Sequence, residues 1–197
     1  MEQKKIYYHL KQLKREYLDW YIVGFVDGEG SFSVSITKHP DARFGWMIDP
    51  VFQIYQHENH REVLELIREV LKTGTIRFKS KEKSNTLDFS VENFRSLKEK
   101  IIPFFKRYQL IVKNDDFKKF CQIIELMDKK AHYTIEGFKK IIRIAHLMNQ
   151  QGKQRIYSEE YIFERMENKL KNKLFRESSE TNTSNPVIYG NDIVQTR

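Results

Sequence analysis

The stretch Tyr21-Ile22-Val23-Gly24-Phe25-Val26-Asp27-Gly28-Glu29-Gly30-Ser31-Phe32 decides the fold. Leu18, Tyr21, Ile22, Phe25 and Val26 recur at helical spacing and make one apolar stripe, so the segment reads as a helix that ends in glycine and acid. Gly24 and Gly28, four residues apart, leave a second face without side chains. A glycine inside a helix costs about 1 kcal/mol relative to alanine, so two on one face point to another backbone approaching closely there. If that backbone is an identical helix, the Glu29 carboxylates of two copies meet and repel. A divalent cation relieves the repulsion, and a metal held by a carboxylate pair can activate water for phosphodiester cleavage.

Beyond Gly30 the period changes to two. Phe32, Val34 and Ile36 alternate with Ser31, Ser33, Ser35 and Thr37, which predicts a strand with one buried face. Residues 38–46, with Pro40 and Gly45, read as a turn or long loop. A second strand over about 47–56 turns Phe52 and Ile54 inward and Val51, Gln53 and Tyr55 outward. An amphipathic helix follows at 59–72, with Gly74 as its stop signal. In the strands 75–79 and 86–91, Ile76, Phe78, Leu87, Phe89 and Val91 alternate with polar residues, and Lys81 to Asn85 make the turn. Further helices are expected at about 93–102, ending near Pro103, at 115–127 with Asn114 as cap, at roughly 135–150 and at 158–174. The order α-ββ-α-ββ-α with additional helices predicts an α+β fold, a four-stranded antiparallel sheet backed by helices. One domain is expected over 1–175, with its core at about 17–130 and additional helices at 131–175. Residues 1–16, basic and aromatic, read as a short helix or arm, and the Ser/Thr/Asn-rich residues 176–197 as a disordered tail.

The formal net charge is +8, and residues 1–175 alone carry +9, a balance that suits a polyanionic partner. The absence of a run of 18 or more apolar residues and of a signal-peptide pattern predicts a soluble, intracellular protein with no membrane partner. Cys121, the single cysteine, excludes an internal disulfide and a multi-cysteine zinc site, and reads as a small core side chain. His57, Glu58 and His60 are one residue short of the helical zinc pattern, so the two rings do not share a face as zinc requires. A dinucleotide loop is excluded because Ser33 stands where the third glycine belongs and a helix, not a strand, precedes. Asp115 and Asp116 fall in a first helical turn, where negative charge favours the dipole without a metal.

Residues Tyr21–Phe32, running from helix through Gly-Glu-Gly to a strand that starts Ser-Phe, resemble the LAGLIDADG motif of homing endonucleases. The resemblance covers about residues 17–130, and its twelve motif positions are the specific part. It implies that Glu29 binds the metal, with the Gly28 carbonyl as a second metal-facing oxygen. Glutamate stands where the family name spells aspartate, and both occur in the family. Gly24, Asp27 and Gly28 are implied at a homodimer contact, and Asp27 reads as mainly structural, accepting backbone hydrogen bonds at the helix end. Phe52-Gln53-Ile54-Tyr55-Gln56 resembles the family's second strand, which implies that Gln56 orients the nucleophilic water. Lys113, in Leu110-Ile111-Val112-Lys113-Asn114-Asp115-Asp116-Phe117, matches the active-site lysine that stabilises phosphate charge. The resemblance further implies Mg2+, with Mn2+ as substitute, and a double-strand break with short 3′ overhangs in a long near-palindromic DNA. It also implies a role in intron or intein mobility.

Ser31, Ser33, Ser35, Gln53, Tyr55, Arg77, Lys79, Asp88 and Ser90 give the sheet a polar face of mixed donors and acceptors, flanked by Lys72, Lys79, Lys81 and Lys83. By itself such a face is more often simply solvated. Joined to the motif it reads as a surface for DNA bases and phosphates, the family's saddle. Two other classes stay open. One is an intron RNA maturase or a non-catalytic DNA-binding regulator on the same fold; the other is a basic α+β domain acting through protein contacts.

Overall fold

In the computed structural model the described residues are 12–79, 85–149 and 155–181, with side chains as far as Arg176. Most of the expected arm, the expected tail beyond Thr181, and Lys81 and Lys83 lie outside them. The motif helix is α1 (Arg15–Glu29), which runs directly into β1 (Gly30–Lys38). Leu18, Ile22, Val23 and Val26 are buried, and Tyr21 and Phe25 pack at the margin of the core. Only glycine fits the junction: a Cβ on Gly30 would stand 2.7 Å from Val26 Cγ1 and 2.8 Å from the Val26 carbonyl oxygen.

β2 (Trp46–His57) leads through a 3-10 turn at Glu58–His60 into α2 (Arg61–Leu71), β3 (Thr75–Phe78) and β4 (Thr86–Val91). The sheet order is β1-β2-β4-β3 and every neighbouring pair is antiparallel. Strand parity sends Phe32, Val34, Phe52, Ile54, Leu87, Phe89 and Val91 into the core. There the Phe32 ring lies 5.0 Å from Phe52, 5.1 Å from Phe117 and 5.5 Å from both Phe105 and Phe120. Truncating such a ring to alanine costs about 3–5 kcal/mol, so this aromatic knot is a principal stabiliser of the sheet-to-helix contact. Phe78, expected inward, is 50% exposed because β3 is a short edge strand. The left-handed residue that ends α2 is Lys72 (φ 53°), and Gly74 (φ 99°) makes the turn two residues later.

The helix expected to end near Pro103 continues past it. Phe94–Ser96, a π-helical turn at Leu97–Ile101 and Ile102–Arg107 form one continuous element, α3. Pro103 opens its last segment, where a missing N–H is tolerated, and the wider π turn before it relieves the clash of the ring with the preceding carbonyl. α4 (Asn114–Asp128) begins one residue before the expectation: Asn114 is helical, and Lys113 holds the cap position without a side-chain cap bond. α5 (Ile135–His146) is capped by Thr134, whose Oγ1 accepts from the Gly137 N–H at 3.1 Å, and it is shorter than expected. α6 (Glu159–Thr181) is longer, so residues 176–181 of the expected tail are helical.

A second apolar cluster joins Phe44 and Trp46 of the β1–β2 hairpin to Phe138, Ile142, Ile162 and Met166, and Ile36 and Ile48 pack against both clusters. The edge of β1 is covered as well: Asn149 Nδ2 donates to the Phe32 carbonyl at 2.8 Å and Arg155 to the Val34 carbonyl at 2.9 Å. Such bonds satisfy strand groups that would otherwise invite further pairing. Among the described residues no helix is long and apolar enough to cross a membrane.

Candidate functional site

The outer face of α1 is bare where the glycines stand. Gly24 and Gly28 are exposed, and a Cβ on either would meet no atom within 4 Å. Tyr17 (58% exposed) and Trp20 (49%) continue the same stripe at helical spacing. The chain itself therefore leaves open the close approach that two helix glycines imply. Glu29, the last residue of α1, is exposed beside this stripe.

Asp27 is half-buried and engaged, but its partners are not at the helix end. Oδ2 accepts from the Ile111 N–H at 2.7 Å and Oδ1 from the Lys113 N–H at 3.1 Å. The carboxylate thus ties the end of α1 to the turn before α4, and so brings Lys113 to the motif helix. Gln56 lies at the end of β2 that faces the end of α1, since Gly30 pairs with Ile54 and Gln56 is two residues on. Its Oε1 accepts from the His57 N–H at 2.8 Å.

The nine polar positions assigned to one sheet face share it. Across the sheet, Ser31 pairs with Gln53, Gln53 with Ser90 and Ser90 with Thr75; alongside run Tyr55, Asp88 and Arg77. Ser33 and Ser35 follow on β1 opposite Val51 and Asp49, and Lys79 leaves the end of β3 with its Nζ 4.2 Å over the Tyr55 ring. Ser90 is only 2% exposed and donates to Glu92 at 3.2 Å, so it supports the face more than it lines it. Arg77 pairs with Glu92 at 2.9 Å and reaches Ser90 Oγ at 3.4 Å. Burial pushes the Asp88 carboxyl above its ordinary range; Arg77 opposes this and Glu92 adds to it. Its Oδ1 is buried without a hydrogen-bond partner, while Gln53 donates weakly to Oδ2 at 3.5 Å.

Sequence reasoning placed Thr37 on this face without counting it among the DNA-facing residues, and it missed Asp49 and Glu92. Carrying the alternation back through the second strand reaches Asp49, and one residue past the fourth strand reaches Glu92. Thr37 donates to Asp49 at 3.5 Å, and burial pushes the Asp49 carboxyl up.

The donor set at the end of α1 is a carboxylate beside the last main-chain carbonyls of a helix, which lack intrahelical partners and sit at the negative end of the dipole. Hard oxygen donors in that field fit Mg2+ better than a soft metal. Among the described residues no group of three or more His, Cys, Asp or Glu could hold a metal. His57 caps the 3-10 turn, its Nδ1 accepting from the Asn59 N–H at 3.2 Å.

This fold and site define a class: α-ββ-α-ββ-α proteins whose first helix has a glycine face, ends in an acid and passes directly into the sheet. The chain belongs to the LAGLIDADG endonuclease family, whose model matches residues 22–124. It is 37% identical over 136 residues to the DNA endonuclease I-CeuI of Chlamydomonas moewusii, covering 66% of this chain and 62% of that one. It is 41% identical over 123 residues to a probable intron-encoded endonuclease 2 of Neurospora crassa, covering 62% of this chain and 27% of the relative. The chain thus spans less than two thirds of the length of these curated relatives. The archaeal intron-encoded homing endonuclease I-Vdi141I, solved in complex with DNA, superposes with a TM-score of 0.73 at 34% identity, over 79% of this chain and 98% of that structure.

Proposed function

We propose that the chain is a site-specific DNA endonuclease that cuts both strands of a long, near-palindromic target as a homodimer, with Mg2+ as cofactor. The observation that carries this is the conjunction of the open glycine face at Gly24 and Gly28 with an exposed terminal acid, Glu29. Two copies joined on that face bring together two carboxylates where each sheet's polar face begins. That I-CeuI is a DNA endonuclease and that I-Vdi141I was solved with DNA support DNA as the substrate.

Glu29 and the Gly28 carbonyl would hold the cation, which when bound supplies charge neutralisation and water activation at the scissile phosphate. Lys113, positioned through its own main-chain bond to Asp27, neutralises charge on the phosphate. Gln56 orients the attacking water; its amide accepts and donates hydrogen bonds but does not act as a base. Ser31, Ser33, Ser35, Gln53, Tyr55, Arg77, Lys79 and Asp88 meet base edges and phosphates. A cleavage selection on a randomised DNA library tests the proposal. Mg2+-dependent ends that share one long twofold site are expected, and no ends with Mg2+ present would refute it.

A further inference from the structure

The β1–β2 hairpin and α6 enclose a groove of about 520 Å³, lined by the cations Lys38, Arg165, Lys169, Lys173 and Arg176 together with His39. No acidic side chain lines it among the described residues. α6 sorts its side chains by face. Ile162 and Met166 are buried, and Lys169, Lys173 and Arg176 continue their stripe toward the C-terminal end with Arg165 beside it; Glu160, Glu164 and Glu167 lie on the opposite face, where Glu167 binds Lys139 at 3.0 Å.

Lys38, Arg165 and Lys169 are braced by neutral groups. Lys38 Nζ donates to the Tyr161 hydroxyl at 2.9 Å and lies 4.7 Å from the centre of the Tyr157 ring. Arg165 lies 5.7 Å over the Tyr161 ring. Lys169 Nζ donates to the Pro40 carbonyl and, at 2.7 Å, to that of Ala42. Ring faces, a phenol and carbonyls hold a cation in place without cancelling its charge.

We propose that this groove binds the phosphate backbone of duplex DNA beyond the stretch covered by the sheet, at the outer flank of the target. The inference rests on the endonuclease proposal. Lys38 closes β1 at the opposite end from Gly30, about 27 Å from α1 at strand rise, which equals about eight base pairs of B-DNA. Lys38 and Trp46 share the strand parity of Ile36 and Ile48, so the groove opens on the helix-backed side of the hairpin, at the end where the sheet's reach along a half-site stops. α6 runs on from Lys169 to Thr181, about 18 Å further, with Lys173 and Arg176 on the same face. Phosphates satisfy cations set at one-turn spacing without regard to sequence, so the groove adds affinity and anchoring but no base preference.

The test uses the full chain and the duplex recovered by cleavage selection, either trimmed to the site or extended by about ten base pairs on each side, with binding measured by anisotropy in EDTA. The wild type is expected to bind the extended duplex about tenfold more tightly, with a salt slope steeper by about two to three. The triple variant R165Q/K173Q/R176Q is expected to lose that preference while melting at the wild-type temperature. Should the triple variant fail to fold, Arg176→Gln alone is expected to lower the slope by about one. A flank preference equal in variant and wild type, or absent from the wild type, with the trimmed duplex still bound and cut, would overturn this proposal and leave the endonuclease standing. A structured RNA that displaces the wild type from the extended duplex, but not the variant, would reassign the groove to RNA. Binding and cleavage of neither duplex would overturn both proposals.

Discussion

Asp27 and Lys113, 86 positions apart, are joined by a 3.1 Å hydrogen bond from the Lys113 N–H to Asp27 Oδ1, while the other carboxylate oxygen takes the Ile111 N–H. Two charge-assisted bonds from one side chain fix the turn 110–113 against the end of the motif helix. Asn in place of Asp27 offers a single acceptor oxygen, and its NH2 faces the second N–H donor. Asp27→Asn should destabilise the fold by about 1–3 kcal/mol and slow cleavage, through a misplaced Lys113. Urea unfolding beside single-turnover cleavage measures both; wild-type stability would show that the two bonds contribute little.

Gly24 separates association from folding. Because a Cβ there meets nothing within 4 Å, a larger residue fits the isolated chain, and relief from helical glycine should add up to about 1 kcal/mol to its stability. In a close helix pair the same side chain overpacks the contact by about 1–3 kcal/mol. Gly24→Leu should therefore raise the dimer dissociation constant about tenfold or more in sedimentation equilibrium without lowering monomer stability. An unchanged constant would place the dimer contact elsewhere.

Asp88 gives the fold a pH signature. Its folded pKa lies above its ordinary value of 3.8, chiefly through burial, so the fold favours the protonated form. Ionisation then disfavours the folded state as the pH rises from near 3.8 through the raised value, and the cost is complete above it. Asp88→Asn lacks this step. Its stability relative to wild type should rise across that window, stay level above it, and show no contribution from this source below it. Denaturant titrations at a series of pH values measure the difference, and parallel curves would contradict the assignment.

Cys121 should be a slow thiol. Burial pushes its pKa up to about 11, with Lys106 opposing only weakly. At about pH 8 the thiolate fraction is then about a hundredfold below that of a thiol at the ordinary 9.0, and alkylation by iodoacetamide should slow in proportion. Labelling at the rate of a free peptide thiol in the native protein would show that the site opens readily.

Local patterns made the sheet and the motif helix readable in the sequence. Strand parity assigned Ser31, Gln53, Asp88 and their neighbours to one face before any pairing was known, because alternation is a property of each strand alone. The open face at Gly24 and Gly28 was legible for the same reason. Contacts that span the chain were not. Nothing local joins Asp27 to Ile111 and Lys113, or Phe44 and Trp46 to Phe138 and Ile162. Pro103 misled because a proline usually ends a helix, and the π turn that accommodates it has no signature of its own. The segregation of charges along α6 was present in the sequence, but its meaning depended on the hairpin packed against it.

The most direct test of the central claim compares wild type and Glu29→Gln on the selected duplex, with binding and single-turnover cleavage followed in parallel, in Mg2+ and in EDTA. The account predicts that the wild type cuts only with Mg2+, and that the variant binds within about threefold of wild type but cuts at least about a thousandfold more slowly. Cleavage by Glu29→Gln at the wild-type rate would contradict the assignment of Glu29, and with it the metal site at the helix end.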